Sequence, residues 1–230
     1  MARPREFDET AVLEAAIQCF WSQGYEATSV RDLAEKMGIT GASLYNTFGD
    51  KRSLYRRALD DYVEQSFGDR VGRFERNFAP REAIGAFFDE IIERSLSDKQ
   101  RKGCMLVNSA LEMAPHDPEF QRVVADVMVQ VENFFRRCVA AGQSEGTISG
   151  SQSAEDVARL LLSTLLGLRV LARTRPEREL LEGVLRPVLA LLDSQTSPKE
   201  HSPKGSLPTV RARFPDDRRD CGLNDERTGD

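Results

Sequence analysis

The chain has 230 residues, a net charge of −5, and 40% hydrophobic and 30% charged residues, the balance of a globular protein of one or two domains with enough length for a buried core. No apolar run approaches the roughly 20 residues of a membrane span, and the opening Met-Ala-Arg-Pro-Arg-Glu leads into an amphipathic segment without the apolar stretch of a secretory signal. Cysteines 19, 104, 138 and 221 form no CxxC, and His116 and His201 are the only histidines, so no disulfide framework, structural zinc, cofactor or histidine-dependent active site is expected, and a cytoplasmic non-enzyme is.

The periodicity is helical nearly throughout. Val12, Ala15, Ala16, Cys19 and Phe20 mark the apolar face of a first helix, started by Asp8 or Thr10 and ended by Gly24. Thr28 is the expected N-cap of a short second helix with Val30, Leu33, Ala34 and Met37 inward and Gly38 closing it. Thr40 caps a third, very short helix carrying Leu44, Tyr45 and Phe48. Gly49 stops it, and Asp50 caps a fourth with Leu54, Ala58, Leu59, Tyr62 and Val63 inward. Further helices follow at 81–97, 103–113 (short), 118–142, 154–173 and 177–193, the last kinked at Pro187 unless that residue sits near its end. From Ser194 the prolines crowd, periodicity stops, and seven Lys/Arg balance seven Asp/Glu; a disordered, solvated tail is expected over 194–230, with a partner-binding tail as the alternative.

Helices 28–37 and 40–48, joined at Gly38-Ile39, form a helix-turn-helix. Leu44 and Phe48, spaced i, i+4, anchor the second helix inward, leaving Gly41, Ala42, Ser43, Asn46 and Thr47 to face out. Small and polar side chains on a rigidly held helix suit close approach to base edges in a major groove. Tyr45 and Lys51 suit phosphates, Lys51 sitting at the positive end of the fourth helix. Residues 28–57 hold six cations (Arg31, Lys36, Lys51, Arg52, Arg56, Arg57) against three anions, and Arg3 and Arg5 add to them from an N-terminal arm. That excess alone reads equally well as a solvated helix face.

Residues 9–59 resemble the DNA-binding domain of the TetR family of transcriptional regulators (TetR/AcrR type). The resemblance is carried by Ala15-Ala16, Phe20, the run Gly24–Val30, Asp32-Leu33-Ala34, Met37-Gly38-Ile39 and the run Ser43–Lys51. It implies an all-α fold of about nine helices. An N-terminal helix-turn-helix three-helix domain (1–66, motif 28–48) would be linked to a C-terminal helical ligand-binding and dimerization domain (67–193). It further implies a homodimeric repressor on a palindromic double-stranded operator, released by a small apolar or electrophilic effector. By position, Ser29 and Arg31 would touch phosphate or a base edge. Gly41, Ala42, Ser43, Tyr45, Asn46 and Thr47 would form the recognition surface, and Lys51 would clamp phosphate.

The resemblance places dimerization on helices 154–173 and 177–193, paired with their symmetry mates as a four-helix bundle. Their broad apolar faces support this independently, with Leu161, Leu165, Leu168, Leu181, Leu185 and Leu189 as interface candidates and Gly167 allowing close approach. Candidate effector-pocket residues are Phe87, Phe88, Ile91, Met105, Asn108, Met113, Phe120, Met128 and Phe134, a Met- and Phe-rich set with one amide that suits an apolar molecule. Cys104 follows Lys99, Arg101 and Lys102 at a helix start, which favours its thiolate and makes it a candidate redox or electrophile sensor. The alternative is a small residue packing the helix start. Glu112 reads as an ordinary surface carboxylate and His116 as a turn residue.

Overall fold

The computed structural model describes residues 8–193 apart from residue 69; Arg3, Arg5, His201, Cys221 and the expected tail lie outside the described residues. Those residues form ten helices and no strand. None of the helices is long and apolar enough to cross a membrane.

The first four helices owe their limits to caps. Helix α1 (Glu9–Gln23) starts at Asp8, whose carboxylate accepts from the backbone N–H of Thr10 at 2.9 Å. Helix α2 (Val30–Met37) starts one residue later than the sequence suggests. Ser29 and Asp32 form a reciprocal capping box, whereas Thr28 is buried, its hydroxyl donating to the Gly24 carbonyl at 2.6 Å. Gly38 ends α2 in the left-handed conformation (φ 65°), which a side chain would strain. Thr40 caps α3 (Gly41–Phe48), and Asp50 caps α4 (Lys51–Phe67). Buried Phe20, Leu33, Leu44, Leu54 and Leu59 pack these helices together.

A helix absent from the sequence reading, α5 (Arg70–Asn77), leads into α6 (Pro80–Ser97), α7 (Met105–Glu112), α8 (Pro118–Ser144), α9 (Ala154–Thr174) and α10 (Arg178–Ala190). The centre of this half is a cluster of rings from α6 and α8: Phe88 stacks on Phe135 at 5.5 Å, and Phe87 meets Phe134 at 5.4 Å. Helices α9 and α10 close the other side with Leu161, Leu165, Leu168, Leu181 and Leu185, all buried. Pro187 lies inside α10 near its C-terminal end, one turn before Leu191 caps it.

Candidate nucleic-acid interface

Helix α3 is held from below and open above. Leu44 and Phe48 are buried, while Ala42, Tyr45 and Asn46 are exposed and Gly41, Ser43 and Thr47 half-buried on the other side. The Thr40 hydroxyl accepts from the Ser43 backbone N–H at 3.1 Å and shares a 2.9 Å hydrogen bond with the Ser43 hydroxyl, so one side of the Ser43 hydroxyl is already used. The Ser29 hydroxyl donates to Asp32 at 2.6 Å; its cap leaves the exposed Arg31 as the better-placed contact on α2. Lys51 stands at the start of α4 with its ammonium 4.2 Å above the Tyr25 ring, which limits its rotamers and holds the charge beside α3.

The structure divides the six cations of 28–57 into two sets. Arg31, Lys36 and Lys51 have no carboxylate partner among the described residues. Arg57 pairs with Glu9, and Arg56 with Asp60 and Glu119. Arg52 donates to Asp117 at 2.7 Å and to Glu119 at 2.6 Å. The second set therefore fastens α4 to α1 and to the start of α8, and only the first is free to meet phosphates.

The sequence reading missed these joints. Besides Arg52 and Arg56, the Tyr55 hydroxyl meets Ser109 of α7 at 2.7 Å, buried, and the Trp21 indole N–H donates to the Gly103 carbonyl at 3.2 Å. Glu112 is likewise no idle surface carboxylate, because it accepts from the Glu26 backbone N–H at 2.7 Å. It also lies so near Gly24 that a Cβ there would come within 2.9 Å of it. The signal available in the sequence was charge complementarity between Arg52, Arg56 and the Asp117-Pro-Glu119 helix start.

The Arg52 hydrogen bonds hold the Asp117 and Glu119 carboxyls below their usual range. A carboxylate with a depressed folded-state pKa contributes stability above its unfolded pKa and loses it as pH falls through the folded one. Arg52→Gln is therefore expected to lower the melting temperature modestly near about pH 7, with the difference from wild type closing as pH falls through the depressed carboxyl pKa values. Paired thermal melts across that range check it.

Of the effector-pocket candidates, Phe87, Phe88, Phe120 and Phe134 are fully buried in ring-to-ring packing, and Ile91, Met105 and Met113 fill the same core. Met128 is half-buried against that core. The Asn108 amide is occupied, donating to the Lys102 carbonyl at 3.1 Å and accepting from Arg173 at 2.8 Å. The seven apolar side chains other than Met128 are packed in the core, where apolar periodicity alone had not distinguished core from cavity wall. Cys104 is buried at the α7 N-cap, where its sulfur accepts from the Tyr62 hydroxyl at 3.6 Å.

The interface candidates divide similarly. Leu161, Leu165, Leu168, Leu181 and Leu185 are consumed inside their own chain, and Leu189 is half-buried. The apolar stripe left facing outward is the neighbouring one, with exposed Leu160, Gly167 and Val170 on α9 and Leu191 after α10, beside half-buried Val184 and Val188. At one end of it Val157, Leu160, Val188 and Leu191 line a groove of about 240 Å³.

Residues 12–58 match the family described as "Bacterial regulatory proteins, tetR family", and residues 80–188 match "Tetracyclin repressor-like, C-terminal domain". The uncharacterized HTH-type transcriptional regulator YezE of Bacillus subtilis is 33% identical over 194 residues, covering 84% of this chain and all of that protein. The HTH-type transcriptional repressor ComR of Escherichia coli is 26% identical, over 82% of this chain and 90% of its own. Among solved structures, a cysteine-substituted CifR, a TetR family transcriptional regulator complexed with 26-bp double-strand operator DNA, superposes with a TM-score of 0.74. It is 30% identical, covering 83% of this chain and all of CifR.

Proposed function

The chain belongs to the TetR family of bacterial regulatory proteins, and from that membership we propose that it is a dimeric transcriptional repressor whose α3 reads a palindromic operator. A small molecule bound in the second half releases it. The observation that carries the reading is α3 itself: a helix pinned by Leu44 and Phe48 whose outward surface is Gly41, Ala42, Ser43, Tyr45, Asn46 and Thr47, flanked by Arg31 and Lys51, which have no carboxylate partner among the described residues. Asn46 and Thr47 are the residues assigned to base edges. Arg31, Tyr45 and Lys51 are assigned to phosphates, and Ser29 chiefly caps α2.

Two copies are needed because one small reader makes too few contacts for a specific site, and a two-fold dimer presents two readers to two half-sites. We assign the dimer surface to the outward stripe of Leu160, Gly167, Val170, Val184, Val188 and Leu191, with the buried leucines holding α9 and α10 rigid behind it. A cytoplasmic location follows from the DNA partner. Buried behind Tyr62, Cys104 is assigned to packing the start of α7 ahead of the sensor role.

The reading is tested by recovering genomic fragments bound by the purified chain and titrating the recovered duplex by fluorescence anisotropy beside a scrambled one. Saturable binding that prefers the recovered duplex supports it; no recovered fragment and no preference overturn it. In the same assay Lys51→Ala removes one phosphate contact per protomer. It is expected to weaken both duplexes alike and to flatten the slope of log affinity against log salt by about 1.8 for the dimer. An unchanged salt slope would take Lys51 off the DNA.

A further inference from the structure

A cavity of about 300 Å³ lies where the reader helices meet the second half. Trp21 of α1 and Tyr62 of α4, whose rings meet at 5.1 Å, line it together with Arg70 of α5, Arg94 of α6 and Arg169 of α9. The loop between α6 and α7 adds Arg101 and Lys102. Against these five cations the described lining residues include a single carboxylate, Asp98. That carboxylate is taken up by the backbone N–H groups of Gln100 and Lys102, at 3.2 and 2.6 Å, so it shapes the loop.

The cations are under-compensated. Arg70, Arg73 and Arg94 all draw on one carboxylate, Glu90. The Arg70 side chain is only 6% exposed and lies 3.4 Å from Glu90 through Nε; among the described residues its Nη1, like the buried Glu90 Oε1, has no hydrogen-bond partner. A buried guanidinium N–H left unmatched is costly and rare in a native fold unless something else comes to meet it. Arg169 donates to the Ser95 hydroxyl at 3.3 Å and has no carboxylate partner among the described residues. Burial, and after it the neighbouring Arg94, holds the Arg70 pKa down to about 10. A negative charge placed among these groups would offset the repulsion from Arg94.

We propose that this cavity binds a small organic anion, its carboxylate or phosphate held by Arg70, Arg94 and Arg169 and its apolar body against Trp21 and Tyr62. The proposal rests on the effector-responsive reading above and gives that effector a charge. Guanidinium groups suit both headgroups because their planar N–H pairs match carboxylate and phosphate oxygens. The cavity sits at the small end of ligand pockets, which limits the occupant to a compact molecule. Because α1 and α4 belong to the reader and α6 and α9 to the second half, an anion here touches both at once.

Trp21 is the only tryptophan in the chain, so its emission reports on this cavity directly. The full-length protein is titrated with phenylacetate, phenyl phosphate, neutral phenylacetamide and inorganic phosphate up to millimolar concentrations. A saturable change in Trp21 emission is expected with at least one of the two organic anions, the tighter one naming the headgroup. Phenylacetamide is expected to bind at least about tenfold more weakly, and Arg169→Gln to lose at least about tenfold in anion affinity. Arg94→Gln is the second variant, and circular dichroism verifies that both remain helical. Silence with both organic anions, equal binding of the amide, equal binding of inorganic phosphate, or full affinity in both variants overturns the proposal. Duplex anisotropy on the same samples separates the two readings. Intact operator binding with no anion response removes the anion site alone, whereas an anion response that leaves operator affinity unchanged keeps the site and removes the release mechanism.

Discussion

Tyr55→Ala is expected to lower the unfolding free energy by about 3–5 kcal/mol, the range for truncating a fully buried aromatic residue. The ring is 1% exposed. It meets Phe20 edge-on at 4.8 Å, Tyr25 at 5.0 Å and Phe120 at 5.4 Å. The Ser109 hydroxyl already donates to the Met105 carbonyl at 2.8 Å, so in the Tyr55–Ser109 pair the phenol is the donor. Burial pushes that phenol up to about 12, which keeps it protonated and donating at neutral pH. Tyr55→Phe retains the rings' packing and removes only the hydrogen bond, so it is expected to cost about 1 kcal/mol. Urea unfolding of the three proteins makes the comparison. A Tyr55→Ala loss no larger than that of Tyr55→Phe would show that the site collapses without the ring, and that the halves are fastened by polar contacts instead.

The location of this residue gives the prediction a functional edge. Phe20 and Tyr25 belong to the reader, whereas Phe120 and Ser109 belong to α8 and α7. The other joints between the halves are the buried Tyr62–Cys104 contact, the Glu26–Glu112, Gln18–Lys102 and Trp21–Gly103 hydrogen bonds, and the Arg52 and Arg56 pairs, and none of them carries as large a buried ring cluster as Tyr55 does. Tyr55→Ala is thus expected to weaken any effector response more than it weakens operator binding, since α3 is anchored by Leu44 and Phe48 and not by Tyr55.

The readable parts of the fold were those set by local chemistry. Asp8, Thr40 and Asp50 begin helices because a short polar side chain ahead of an apolar period can satisfy free N–H groups. Thr28 and Ser29 were adjacent hydroxyls, and Asp32, three residues after Ser29, was the mark that decides between them. Helix α5 escaped because Arg-Val-Gly-Arg-Phe-Glu-Arg-Asn has two apolar side chains among four charges and lacks a clear period. The reader's outward residues were legible because α3 has one apolar face. Helix α9 is apolar on most of its circumference, so periodicity did not tell which leucines its own chain would use. The arginine cavity was the least legible. Arg70, Arg94 and Arg169 are far apart in sequence and come together only through the packing of α5, α6 and α9.

Gly167→Glu is expected to convert the dimer into a monomer while leaving each chain folded. A Cβ at this position meets nothing within 4 Å in its own chain, and replacing a mid-helix glycine by glutamate favours the helix by up to about 1 kcal/mol. The cost falls on the interface. In a two-fold dimer every interface residue enters twice, so two carboxylates would be forced into the apolar stripe beside Leu160, Val170 and Val184 with no cation on that stripe to pair them. Sedimentation at micromolar concentration is expected to give the mass of one chain, with far-UV circular dichroism still helical. Operator affinity should fall at least about 10³-fold, the lower end of the gap between specific and non-specific binding, because a lone reader engages one half-site. Gly167→Ala adds only a methyl group and is expected to stay dimeric, with operator affinity within about tenfold of wild type. Melting temperature is the wrong readout here, since dissociation alone lowers it. If Gly167→Glu sediments as a dimer and binds operator as wild type does, the partner sits on another face, and the outward stripe of α9 and α10 must be given a different role.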